Sequence, residues 1–131
     1  MRMEEVISTT ATSYAGITTF PQVVAKLLGL GVESYRADLI CKTSTYYMPN
    51  GAHAVANHPP HDYIVAVEFD GPAVKAAISS IQQGKVSYVE FMHLISRAGV
   101  TNYMVYLTGK KAAYYGRNGE SHIENFPSSK E

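Results

Sequence analysis

The chain reads as a single α+β domain, a mostly antiparallel sheet with helices on one face. Three observations predict it: a repeat at a fixed offset, a switch of period inside each copy, and paired turn signals. Sliding the sequence by 68 positions places Gly31-Val32 on Gly99-Val100, Tyr35 on Tyr103, Leu39 on Leu107 and Lys42 on Lys110. It also places Tyr46-Tyr47 on Tyr114-Tyr115 and Asn50-Gly51 on Asn118-Gly119, without a gap. Repeats of this kind mark a shared supersecondary unit. The copies run over about residues 19–55 and 87–123 within one domain spanning 1–131.

Each copy opens with a helix. Thr19 with Gln22, and Ser87 with Glu90, are S/T-x-x-E/Q capping boxes, in which the hydroxyl and the third side chain satisfy the first free amides. Phe20, Val23, Val24 and Leu27 then form an i, i+3, i+4, i+7 stripe, matched by Tyr88, Phe91, Met92 and Ile95. Gly31 and Gly99 stand where a left-handed residue ends a helix. Beyond each glycine the period becomes two: Tyr35, Ala37, Leu39 and Cys41 in the first copy, Tyr103, Val105 and Leu107 in the second. Cys41 is thereby expected as an inert buried thiol. A hairpin turn near Lys42 or Lys110 leads to a second strand, around 45–48 and 112–115, and Asn-Gly then starts a third.

Three pieces are expected outside the repeat. Residues 3–14 read as a weak helix, Asp62–Phe69 as a strand with Tyr63, Val65, Val67 and Phe69 on one face, and 70–84 as a helix capped by Asp70. The total is six or seven strands, with the second sheet face half polar and either solvated or an interface.

Composition narrows the function classes. Eleven basic residues balance eleven acidic ones, and the longest basic cluster is Lys110-Lys111, so nucleic acid is not an expected partner. No run approaches the ~20 apolar residues of a membrane span, the first residues are not expected to act as a signal peptide, and one cysteine suits a reducing compartment. A cytoplasmic protein is expected, with no membrane partner. Near-neutral charge and ten tyrosines suit self-association, so a homodimer through sheet edges or exposed tyrosines is expected.

Three stretches carry a family resemblance: Gly31 to Leu39 with Thr45-Tyr46-Tyr47 and Asn50-Gly51; Gln82-Gln83-Gly84-Lys85 with Tyr88 and Phe91; and Ala98-Gly99-Val100 through Leu107 to Tyr114-Tyr115 and Gly119. In these the chain resembles a small bacterial and prophage family called YbcV-like, sometimes labelled phage envelope protein. That resemblance implies no activity, since the family has none established. Where the family often has Trp and a Val-Asp-Leu strand, this chain has Tyr103 and Val105-Tyr106-Leu107.

No catalytic or cofactor motif is present: there is no Gly-x-Ser-x-Gly elbow, and Ser121-His122 lacks a placeable acid. The primary reading is therefore a non-enzymatic binding or protein-interaction module. The alternative is a small-molecule or metal-handling protein, or a minor enzyme. Its site would lie among Arg36, Asp38 and Tyr46 and the loop histidines His53, His58 and His61. Arg36 and Asp38 share one strand face and could pair. The histidines crowd one loop but lack a completing thiol or carboxylate set, so neither a metal nor a cofactor is assigned.

Overall fold

The computed structural model describes residues 3–16 and 18–127. Ten elements follow in the order α1 (Met3–Tyr14), α2 (Phe20–Gly29), β1 (Ser34–Asp38), β2 (Thr43–Tyr47), β3 (His53–Asn57), α3 (Gly71–Gln82), α4 (Tyr88–Arg97), β4 (Asn102–Tyr106), β5 (Lys111–Tyr115) and β6 (Ser121–Asn125). The strands form one antiparallel sheet in the order β3-β2-β1-β4-β5-β6. The chain is α+β.

Every element of the first half recurs 68 positions later with the same bounds, α1 with α3 included. The match in element order therefore covers more of the chain than the sequence pattern indicates. The helices expected outside that pattern at 3–14 and 70–84 correspond to α1 and α3, which share almost no identities apart from fully buried Val6 and Val74. The halves meet where β1 pairs with β4, and the register sets Arg36 opposite Met104, its own counterpart.

Local chemistry accounts for the elements. Both capping boxes form, with Gln22 accepting from the Thr19 amide at 2.8 Å and Glu90 from the Ser87 amide at 2.7 Å. Both helices end in the same double closure. Val32 N–H donates to Leu27 O and Gly31 N–H to Leu28 O, while Val100 donates to Ile95 O and Gly99 to Ser96 O. Gly31 and Gly99 carry φ of 90° and 89°. Asp70 caps α3 by accepting from the Ala73 amide at 3.1 Å.

Leu27, Val32 and Leu39 and their counterparts Ile95, Val100 and Leu107 are all nearly inaccessible. They form the core between the helix layer and the sheet. One face of the sheet carries Tyr35, Ala37, Tyr46, Ala54, Ala56, Tyr103, Val105, Ala112 and Tyr114, all buried. α1 covers β3 and α3 covers β6.

Two expectations fail. Residues 62–69 form no strand. They belong to the connection from β3 at one sheet edge to α3, which packs over β6 at the other edge. Five inter-strand gaps make that crossing about 24 Å, so the segment runs across the helix layer, not along a ladder. It is tied there by Ala66 N–H to Ser96 O, Asp70 N–H to Ala98 O, and the Arg117 guanidinium to Val65 O at 3.0 Å. Its alternation is accordingly lost: Tyr63 is buried, but Val67 is 72% exposed.

Cys41 is exposed, not buried. β1 stops at Asp38, whose carboxylate accepts from the Ile40 and Cys41 amides at 2.8 Å each and bends the chain into the turn.

Candidate functional site

The residues singled out from sequence do not form one cluster. Arg36, Asp38 and His53 lie on the sheet face away from the helices, and Tyr46 lies on the helix-covered face. Arg36 donates to the Asn102 side chain, and Asp38 is occupied by its turn, so the expected Arg36–Asp38 pair is absent. His53 is exposed on edge strand β3.

His58 and His61 turn inward under α1. The Tyr14 ring lies 5.2 Å from the His58 ring and 5.3 Å from the His61 ring, and its hydroxyl bonds that of Tyr63. His93 on α4 meets Tyr63 at 4.9 Å. His58 is buried, its Nε2 is 2.7 Å from Ser44 Oγ, and its Nδ1 has no partner among the described residues. Burial holds its pKa down to about 4, with the Asp38 charge pulling more weakly the other way. Among the described residues no three His, Cys, Asp or Glu side chains are placed to hold a metal ion. Ser121 and His122 face opposite sides of β6, and His122 Nε2 contacts Glu124 at 2.9 Å, so no triad forms.

The chemistry concentrates elsewhere. A cavity of about 510 Å³ opens between the helix layer and the sheet. Tyr35, Tyr103, Val105 and Tyr114 from the sheet line it, with Phe20, Val23, Ile78, Ile81, Tyr88 and Phe91 from the helices. Ser13, Thr18, Thr19, Gln82, Gln83 and Ser87 add polar atoms from the helix ends. No described lining residue bears a formal charge. The α2 and α4 N-termini also reach it, but Thr19 and Ser87 already occupy amides that an anion would use.

Its tyrosines differ in partnership. Tyr103 shares a hydrogen bond with Tyr88, hydroxyl to hydroxyl, at 2.8 Å. The Tyr35 and Tyr114 hydroxyls have no hydrogen-bond partner among the described residues. Burial raises the pKa of both, reinforced by neighbouring Tyr88 for Tyr35 and by Glu124 for Tyr114, so both remain protonated donors.

The reason lies in the repeat. The counterpart of Tyr88 is Phe20, which has no hydroxyl to offer Tyr35. In the first half Tyr46 meets Thr10 at 2.5 Å, but the counterpart of Thr10 is Ile78, which offers Tyr114 nothing. Each half satisfies one of the two tyrosines on the helix-facing side of its strands, and both of the others line the cavity.

A family model described as a protein of unknown function (DUF1398) matches residues 18–125. The chain belongs to that family. No curated protein matches it. The DUF1398 match runs from α2 to β6 and so contains all the sheet and most of the cavity wall. It leaves out α1, which supplies Thr10 to Tyr46 and Tyr14 to the histidine cluster. No described helix of the DUF1398 protein is long and apolar enough to cross a membrane.

The sequence reading found the tyrosines but assigned their exposed partners to an interface and missed the cavity. The usable signal was present: two paired positions, 20 with 88 and 10 with 78, change between polar and apolar while the tyrosines they face are kept.

Proposed function

We propose that this protein is a binding module that holds an uncharged small molecule in the cavity between its helix layer and its sheet. The observation that carries the reading is the cavity itself: about 510 Å³, walled by aromatic and aliphatic side chains with a few polar groups. That is the size and chemistry of ordinary ligand pockets.

The open sheet face supports a partner less well. Val55 and Ile123 are 51% and 59% exposed at the two ends of one cross-strand row, with Arg36 and Met104 between them. Six strands of five residues give a patch of about 30 by 17 Å, or about 500 Å². A stable interface takes about 800 Å² from each partner.

The test is titration with a neutral naphthalene ketone dye, whose emission shifts in an apolar site. We expect one dye per chain. Ile81→Trp at the cavity wall should weaken it at least tenfold without lowering thermal stability. It would also insert the chain's one tryptophan as a reporter. Failure of the dye to bind, or unchanged binding by the folded variant, would refute the reading.

A further inference from the structure

We infer that the cavity selects an uncharged aromatic compound bearing a hydrogen-bond-accepting oxygen, with Tyr35 and Tyr114 as the two donors that receive it. The inference rests on the cavity reading and goes beyond it by naming the ligand's chemistry.

Three features of the wall define that chemistry. The first is ring surface. Tyr103 and Tyr114 stack at 4.9 Å, with Phe91 edge-on to both at 6.3 Å, and Phe20, Tyr35 and Tyr88 complete the wall. Such a wall favours a planar ring by stacking and edge contacts. The second is the absence of charge. An ion entering the cavity would lose its water and meet no counter-charge among the described lining residues.

The third is the pair of free phenols. Buried hydroxyls normally have partners, and those of Tyr46 and Tyr103 do. Tyr35 and Tyr114 are only 7% and 6% exposed, and no described residue partners either hydroxyl, whose oxygens keep their access through the cavity; Thr18 Oγ1 on the same wall is inaccessible and unpartnered among the described residues. Their counterparts show that the fold can supply a partner at each place, through a tyrosine at position 20 or a threonine at position 78. With Phe20 and Ile78 there instead, two phenol donors are left for whatever fills the space, beside the hydroxyl of Thr18. A carbonyl, ether or phenol oxygen on an uncharged ring satisfies them.

Calorimetry with three matched compounds tests this: 2-acetylnaphthalene, 2-ethylnaphthalene and 2-naphthoate. They share a ring system and differ in acceptor and charge. The ketone should bind about 3- to 10-fold tighter than the hydrocarbon. The carboxylate should bind at least about 100-fold weaker than the ketone. Tyr35→Phe with Tyr114→Phe should abolish the ketone's advantage and change hydrocarbon affinity by less than about twofold. Equal binding of ketone and hydrocarbon, or tight binding of the carboxylate, overturns the ligand class while leaving the cavity reading intact. Binding of none overturns both. If the double variant fails to fold, the ranking on the unmodified protein still decides.

Discussion

The two halves share the order and bounds of their elements and differ in what those elements hold. Both place a non-glycine residue, Lys42 or Lys110, at φ 60°, and both receive the chain after their third strand on that lysine's carbonyl, from His58 N–H or Phe126 N–H. Yet His58 packs against Tyr14 of α1, whereas Phe126 packs edge-on against Phe20 at 5.4 Å. Tyr14 and its counterpart Gln82 show the same divergence: one fills a ring cluster, the other lines a cavity. Scaffold positions answer to constraints set within the unit. Side chains at its margins answer to what the rest of the chain brings near.

The largest predicted asymmetry concerns the helix-ending glycines. An alanine at Gly31 would suffer only the positive φ, since nothing lies within 4 Å of its added carbon. At Gly99 the same carbon would stand 2.2 Å from the Glu68 carbonyl oxygen, because the connection between halves crosses there. Gly31→Ala should cost about 1–2 kcal/mol. Gly99→Ala should cost about 3–4 kcal/mol, since backbone must move as well. Urea denaturation of both variants checks this, and equal losses would mean that the connection yields freely.

Replacing His58 by its counterpart's residue, His58→Phe, should separate the halves by pH. The folded-state pKa of about 4 lies below the ordinary 6.5, so the unfolded chain takes the proton first. Stability from neutral His58 is whole above pH 6.5 and is lost as pH falls towards 4, by at most about 3 kcal/mol. At pH 7 the variant should be less stable by about 1 kcal/mol, because buried Ser44 loses its hydrogen bond with His58. By pH 4.5 the gap should close or reverse. A constant gap across that window would show that His58 does not titrate as its burial implies.

Smaller differences should follow the tyrosines. Tyr46→Phe strands the buried Thr10 hydroxyl and should cost about 1–2 kcal/mol, whereas Tyr114→Phe removes an unpartnered hydroxyl and should stay within about 0.5 kcal/mol. Thermal denaturation distinguishes them, and a matching loss at Tyr114 would reveal a partner for its hydroxyl.

The same contrast explains what could be read from sequence. The capping boxes, glycine ends and strand alternation depend on neighbours a few residues apart, so α2, α4 and all six strands were legible. The 62–69 segment alternated convincingly, but its path was set by distant elements: β3 behind it and α3 ahead, at opposite edges of the sheet. Arg36 and Asp38 were correctly placed on one face, yet their partners, Asn102 and the Ile40 and Cys41 amides, depended on register and turn geometry. The cavity was hidden because it forms from four helix ends and the middle of the sheet.

The finest test gives the first half what the second already has. Phe20→Tyr adds one hydroxyl where Tyr88, its counterpart, meets Tyr103. Phe20 is half-buried on the cavity wall, so stability should change by less than about 1 kcal/mol. The new hydroxyl would engage Tyr35 and withdraw one of the two free donors. The preference of the cavity for 2-acetylnaphthalene over 2-ethylnaphthalene should then fall by about two- to threefold, with hydrocarbon binding nearly unchanged. A full preference in this variant, measured by the same calorimetry, would assign the acceptor to Tyr114 alone and leave Tyr35 as ring surface.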